Sequence, residues 1–133
     1  MVLQRPSARP TLLSVAFVAA LIAGAACGGG SGGGSGAAPA GATKVTMTEF
    51  KYEPSSLDVK AGKVTFLLAD SGSQGHDMVI SDSSGKVVGK SDLVQGGNST
   101  EFTVDNLPAG TYTFYCDVPG HRAAGMQGTL TAS

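Results

Sequence analysis

The sequence predicts an all-β domain over residues 44–133, a sandwich of two packed sheets with about seven strands. Apolar side chains recur at every second position in two runs, Val64, Phe66 and Leu68, then Tyr112, Phe114 and Cys116. Turn-forming residues separate such runs at intervals of about 8–12 residues, a spacing typical of sandwiches and barrels. No stretch longer than about ten residues in this part carries the apolar stripe of an amphipathic helix. These observations together favour strands throughout.

Residues 1–26 have the pattern of a secretory signal. Arg5 and Arg9 precede an uninterrupted apolar or small-residue run over residues 12–26. That run is shorter than the roughly 20 residues of a membrane-spanning helix, so we predict a signal peptide and export of the protein.

Cys27 follows small residues at the end of this run and resembles the cleavage site of a bacterial lipoprotein, although Gly24 stands where that motif usually has a larger aliphatic residue. The resemblance implies that Cys27 carries a lipid anchor. Residues 27–43 are rich in glycine and serine and predict a flexible tether. We therefore expect a domain held in the periplasm or at the outer face of the cytoplasmic membrane. Ordinary cleavage near Ala25 or Ala26, leaving Cys27 as a free thiol, is the alternative.

Charge and cysteine content restrict the range of functions that the protein could have. The formal net charge is −1, and this weak acidity does not favour nucleic-acid binding, which requires a basic face. The chain has two cysteines, and only Cys116 lies in the predicted domain. An unpaired thiol in an exported domain is usually reactive, paired with another chain or bound to a metal.

Four residues form a pattern that predicts a copper site. Cys116, His121 and Met126 follow one another at intervals of five along one predicted loop, and His76 is the other of the chain's two histidines. Two imidazoles, a thiolate and a weak thioether are the ligands of a mononuclear electron-transfer copper. Taken alone, each of these residues could be an ordinary core or surface residue, but their combination favours a copper site. Met47 and Met78 are predicted to be core residues.

The segments around these residues resemble the cupredoxin family, which includes plastocyanin, azurin, rusticyanin and auracyanin. The resemblance covers about residues 44–132 and rests on residues 62–66, 75–76, 110–116 and 123–128 and on the Cys-x4-His-x4-Met spacing. It implies a Greek-key sandwich, one type 1 copper ion that alternates between Cu(I) and Cu(II), and a carrier of single electrons.

The resemblance also implies a role for each site residue. Cys116 is the thiolate ligand, His76 the buried imidazole, His121 the exposed imidazole through which electrons leave, and Met126 the long axial ligand. Gly75 is positioned to offer a weak backbone carbonyl. Small apolar residues form the rim around His121, namely Val118, Pro119, Ala123 and Ala124. Such a rim suits brief docking of a redox partner such as a cytochrome, oxidase, reductase or reaction centre. Arg122 interrupts it and would select an acidic partner, and we expect a monomer.

Asp77 and Asp117 replace the asparagine and the serine or threonine that often follow the first histidine and the cysteine in this family. Two carboxylates placed there would repel each other, so we expect one of them to have a raised pKa and to share its proton with the other. The reduction potential would then rise as the pair is protonated. Alternatively, both acids point to solvent and have little effect.

The leading functional prediction is electron transfer, and the alternative is extracytoplasmic storage or delivery of copper. An enzyme is not expected, because two histidines cannot also supply a second, catalytic copper with an open position. Zinc fits the nitrogen and sulfur ligands, but a methionine ligand argues against it.

Overall fold

The computed structural model describes residues 38–133, and these fold as nine β-strands without an α-helix. The strands are β1 (Thr43–Thr48), β2 (Lys51–Glu53), β3 (Ser56–Val59), β4 (Gly62–Asp70), β5 (Val79–Ser81), β6 (Val87–Lys90), β7 (Ser99–Leu107), β8 (Gly110–Tyr115) and β9 (Gln127–Ala132). The predicted all-β class is confirmed. Within the described part of the chain, no helix is long and apolar enough to cross a membrane.

Two sheets build the domain. One has four strands in the order β2-β1-β4-β7, and the other has five in the order β3-β9-β8-β5-β6. The pairs β1–β4 and β3–β9 are parallel, and the remaining pairs are antiparallel. Strands that follow one another in sequence are therefore often separated in space, so most of the core depends on long-range pairing.

The strand count exceeds the predicted seven because short strands are difficult to recognise in sequence. The chain leaves the first sheet after β2 and enters the second at β3, with only residues 54–55 between them. β2 and β5 have three residues each, too few for a period-two pattern to emerge.

The alternation in the sequence places the expected side chains in the core. Val64, Phe66 and Leu68 of β4 are buried, as are Tyr112 and Phe114 of β8. The predicted interior positions of Met47 and Met78 are also confirmed, since both side chains are fully buried.

Leu67 departs from the expected alternation. It lies on the face opposite to Phe66 and Leu68, yet it is only 9% exposed. β4 lies between β1 and β7, and the residues paired with Leu67 are Lys44 and Glu101. The long side chains of these neighbours flank it, which reduces its contact with water.

The predicted signal peptide and Cys27 lie outside the described residues, as does the predicted tether up to residue 37. Residues 39–42 form a turn in which the Ala42 N–H donates to the Pro39 carbonyl over 2.9 Å. β1 begins at Thr43, one residue before the predicted domain boundary.

Candidate metal centre

Three of the predicted ligands meet at one end of the sandwich. His76 lies between β4 and β5, while Cys116 and His121 lie in the loop between β8 and β9. The Nδ1 atoms of the two histidines are 3.1 Å apart, and Cys116 Sγ is 3.6 Å from His121 Nδ1. Their potential ligand atoms all lie within 4.8 Å of one another, so that one metal ion could contact all three.

The pleat of β8 orients Cys116. Tyr112 and Phe114 point into the core, and Cys116, two residues further on, continues on the same face just after the strand ends. Its side chain is completely buried. Burial raises the pKa of the Cys116 thiol, so binding of a metal as thiolate would release a proton.

A compact loop brings His121 and Met126 back toward Cys116. The His121 N–H donates to the Val118 carbonyl and the Met126 N–H to the His121 carbonyl, each over 3.0 Å. The Cys116 N–H closes the loop on the Met126 carbonyl at 3.1 Å. Gly120 has φ of 87° and Gly125 has φ of 108°, backbone conformations that side-chain-bearing residues rarely adopt. The segment from Cys116 to Met126 thus forms a closed loop, with the candidate ligand side chains on its inner side.

His76 is held by its own backbone. Its N–H donates to the Val94 carbonyl at 2.9 Å, and the Val94 N–H returns a bond to the His76 carbonyl at 2.8 Å. The neighbouring Met78 N–H donates to Ser91 Oγ at 2.9 Å. The imidazole is fully buried, and the two bonds to Val94 fix the backbone that carries it.

Met126 and Gly75 have a less direct relation to this cluster. The Met126 side chain is fully buried, and its backbone bonds to Cys116 and His121 place it beside the other residues. Gly75 immediately precedes His76, and a Cβ at Gly75 would lie 3.3 Å from Leu93 Cγ. Axial ligation by Met126 and a carbonyl contact from Gly75 stay predictions.

His121 is not exposed as the sequence resemblance implied. Its side chain is only 5% exposed, because the ring of Phe50 packs edge-on against it with the ring centroids 5.0 Å apart. Phe50 itself is 38% exposed and has φ of 85°, an unusual backbone conformation for a bulky residue. It comes from the turn between β1 and β2, which no pattern near the ligands reveals.

Asp77 and Asp117 connect the two ligand segments, but not as an isolated acid pair. The Asp117 N–H donates to Asp77 Oδ1 at 2.9 Å. Lys90 Nζ lies 2.5 Å from Asp117 Oδ2 and 3.6 Å from Asp77 Oδ2. The expectation of two carboxylates sharing a proton omitted this ammonium group, and the alternative in which both point to solvent is wrong for the buried Asp77. We call these three residues the Asp77–Lys90–Asp117 clamp.

The two carboxylates of the clamp differ in acidity. Burial, reinforced by the neighbouring Asp117, raises the pKa of Asp77. The pKa of Asp117 is lowered by its side-chain hydrogen bond with Asp77 and then by Lys90. One acid with a raised pKa agrees with the sequence-based expectation, while the lysine that balances the charge was missed because it is distant in sequence.

Tyr52 supports the same region from the other sheet. Its buried hydroxyl donates to the Asp77 carbonyl oxygen at 2.5 Å, and its ring packs edge-on against Phe114 with centroids 5.0 Å apart.

Arg122 lies over the ring of Tyr115 at 3.8 Å and therefore extends along the surface of the ligand loop.

The donor set fits copper. The cluster combines soft sulfur with two imidazole nitrogens in a buried site, and trigonal His2Cys sites with a weak axial thioether are typical of mononuclear electron-transfer copper. The site and the two-sheet fold around it define the class of the protein, a small β-sandwich whose described residues include a site suited to copper.

The chain belongs to the cupredoxin-like family, because the model of the cupredoxin-like domain matches residues 12–132. Several solved structures are similar to it. Auracyanin from the photosynthetic bacterium Roseiflexus castenholzii has 20% sequence identity and a TM-score of 0.64, covering 70% of this chain and 97% of its own. Auracyanin A, a blue copper protein from Chloroflexus aurantiacus, has 24% identity and a TM-score of 0.58, covering 68% and 99%.

Plastocyanin from Dryopteris crassirhizoma has 32% identity and a TM-score of 0.52, covering 68% of this chain and all of its own. No curated protein matches the sequence. The fold together with the cluster of His76, Cys116 and His121 is consistent with a single type 1 copper site.

Proposed function

We propose that this protein is a one-electron carrier in which His76, Cys116 and His121 hold a copper ion and Met126 is its weak axial ligand. The single observation that carries the proposal is the convergence of three buried ligand groups within 4.8 Å from two loops that are distant in sequence. Copper, when bound, supplies the Cu(I)/Cu(II) couple.

The rigidity of the ligand segments supports electron transfer. The His76 backbone is bonded to Val94 on both its N–H and its carbonyl, and the Cys116 N–H is bonded to Met126. The Asp77–Lys90–Asp117 clamp ties the two segments to each other. A site held in this way changes little between oxidation states, which keeps the barrier to electron exchange low.

Storage or delivery of copper is less well supported by the geometry. A delivery site must expose its ligands to an acceptor, whereas Cys116 and Met126 are fully buried and His121 is nearly so. Catalysis is also not proposed, since both histidines of the sequence belong to this cluster and none is left to hold a second copper.

We place the docking surface for redox partners around His121. Val118, Pro119 and Ala123, which flank His121 in the chain, line a cleft of about 580 Å³. The partly exposed ring of Phe50 packs directly against His121. Arg122 lies on the same side and favours an acidic partner. A monomer attached to the outer face of the cytoplasmic membrane through Cys27 and the glycine-rich tether completes the proposal.

The test is to load the purified full-length chain with Cu(II) and record its visible and electron paramagnetic resonance spectra. We expect an intense blue absorption that dithionite bleaches and a mild oxidant restores. Cys116→Ser should abolish the colour, and a variant that stays blue and redox-active would contradict the ligand assignment.

Met126→Leu tests the axial ligand against a matched control. It should leave the protein blue but shift its reduction potential, whereas Met47→Leu, which alters a core methionine, should leave the potential unchanged. A colourless protein that readily yields Cu(I) to a chelator would instead favour copper delivery.

A further inference from the structure

His76 has one ring nitrogen whose hydrogen-bonding requirement is not met. Its Nδ1 atom faces His121, so Nε2 points away from the ligand cluster. Nε2 is buried and has no hydrogen-bond partner. A neutral imidazole that offers the Nδ1 lone pair to a metal carries its proton on Nε2, and a buried N–H without an acceptor is unfavourable.

Glu49 is the acidic residue next to this nitrogen. It lies just after β1, and its Oε1 atom is 3.9 Å from His76 Nε2. This distance is longer than a hydrogen bond. The carboxylate nevertheless lies on the Nε2 side of the ring, where a small movement would let it accept a hydrogen bond from Nε2–H. The Glu49 side chain is 31% exposed and closes this side of the site against solvent.

The segment before His76 wraps around the same carboxylate. Glu49 Oε1 accepts the backbone N–H groups of Ser73 at 2.5 Å and Gln74 at 2.8 Å, and the Ser73 hydroxyl at 3.2 Å. The amides of Gln74 and Ser73 hold the pKa of Glu49 at about 2, so the group is ionised at neutral pH.

Gly72 makes this close approach possible. A Cβ atom at Gly72 would lie 2.5 Å from Glu49 Oε1 and 2.7 Å from Oε2. Any other residue at this position would displace the carboxylate or the loop. Glu49 and the loop from Gly72 to Gln74 are therefore fitted to each other, and the fit places a fixed negative charge beside the back of the His76 ring.

We propose that Glu49 is a positioning residue for His76: its carboxylate accepts a hydrogen bond from Nε2–H, orients the imidazole with Nδ1 toward the metal, and makes the ring a stronger donor. A carboxylate behind a histidine ligand is a known way to fix its tautomer and raise its basicity. The added negative charge also favours Cu(II) over Cu(I). The inference rests on the proposed copper site and adds a residue outside the ligand set.

The test compares Glu49→Ala and Glu49→Gln with the unmodified full-length protein, with Glu53→Gln as the matched control. Glu53 is an exposed acid on the adjacent β2 whose side chain is 77% accessible. Nitrogen-15 NMR of the metal-free and Cu(I) forms reports the His76 tautomer and the solvent exchange of its Nε2 proton. Spectroelectrochemistry reports the reduction potential.

We expect the Nε2–H tautomer in the unmodified protein and slow exchange of that proton. Glu49→Ala should accelerate the exchange, and it should weaken Cu(II) binding by about tenfold, the lower end of the usual effect of removing such a partner. Glu49→Gln should restore most of the ring order, because its amide oxygen still accepts a hydrogen bond from Nε2–H. Its potential should nevertheless rise, because the charge is lost, and Glu53→Gln should change neither quantity.

Gly72→Ala provides a second variant that leaves Glu49 in place but pushes its carboxylate away, and it should accelerate the exchange in the same manner. Equal exchange rates and potentials in Glu49→Ala and Glu53→Gln would overturn the inference, even if Glu49→Ala melts at a lower temperature, because Glu49 would then only brace the loop. If the unmodified protein fails to bind copper as a blue site, the proposed function fails, and the tautomer in the metal-free protein still decides the role of Glu49.

Discussion

The backbone N–H of Asp117 donates to Asp77 Oδ1 over 2.9 Å, which joins the residue after Cys116 to the residue after His76. The bond spans the two segments that carry the candidate ligands and is part of the Asp77–Lys90–Asp117 clamp. It holds the two segments in register. The geometry of the centre thus depends on residues that do not themselves belong to the ligand cluster.

Removing the Asp77 carboxylate from the clamp should lower the free energy of unfolding. Asp77→Ala leaves the Asp117 N–H without its acceptor, and loss of a hydrogen bond to a charged group costs about 1.5–3 kcal/mol. Asp77→Asn keeps an oxygen in the same place and should cost less. Urea unfolding of both variants measures this difference, with the exposed Asp58→Asn as the control; equal stabilities for Asp77→Ala and Asp58→Asn would contradict the role of the clamp.

Lys90 should affect the redox equilibrium more than the fold. Its ammonium group is near Asp77 and Asp117, which adjoin His76 and Cys116, and a nearby positive charge favours Cu(I). Lys90→Met should therefore lower the reduction potential of the copper-loaded protein. Lys86→Met, which removes a cation from a turn outside the clamp, serves as the control; a potential that is unchanged or higher in Lys90→Met would show that the clamp charge does not act on the site.

Tyr52 should remain protonated for as long as the domain is folded. Burial, followed by nearby groups led by Cys116, raises its pKa far above the ordinary value of about 10. Because the folded pKa is the higher one, Tyr52 contributes full stability below pH about 10 and progressively loses it as pH rises further. Comparison of the tyrosinate absorbance of the unmodified protein and Tyr52→Phe during alkaline titration should show no contribution from Tyr52 before the domain unfolds.

Tyr52→Phe tests the same residue at neutral pH. It deletes the donor to the Asp77 carbonyl while the ring can still pack on Phe114, so we expect a loss of about 1–3 kcal/mol from the unpaired buried carbonyl. It should also make the loss of stability above pH about 10 less steep, because the contribution of Tyr52 is gone. A variant as stable as the unmodified protein at both pH values would contradict this assignment.

Gly128 should not tolerate a side chain. A Cβ there would overlap the Ser55 backbone oxygen and the ring of the buried Phe114. We expect Gly128→Ala to destabilise the domain by about 1–3 kcal/mol, the usual cost of overpacking. Thr129→Ala, at an exposed neighbouring position of β9, is the control in thermal unfolding; a Gly128→Ala protein with an unchanged melting temperature would contradict the packing described for β9.

The class of fold and the candidate ligands can both be predicted from the amino-acid sequence alone. Period-two alternation requires that Phe66, Phe114 and Cys116 point to a core, because successive strand residues face opposite sides of a sheet. The ligand types and their spacing were also readable, since Cys116, His121 and Met126 are close in the chain and a single loop can bring them together. Short strands such as β2 left no such pattern.

The surroundings of these residues become evident only from the folded domain. Lys90 enters the clamp from β6, Phe50 covers His121 from the turn after β1, and Glu49 faces His76 from the same turn. Each of these contacts joins segments that are far apart in sequence, and the strand pairing that creates it has no local signature. The arrangement of the two sheets therefore determines the charge around the centre, its access to solvent and the orientation of its side chains. The candidate donor atoms, by contrast, can be identified from the residue types in the sequence.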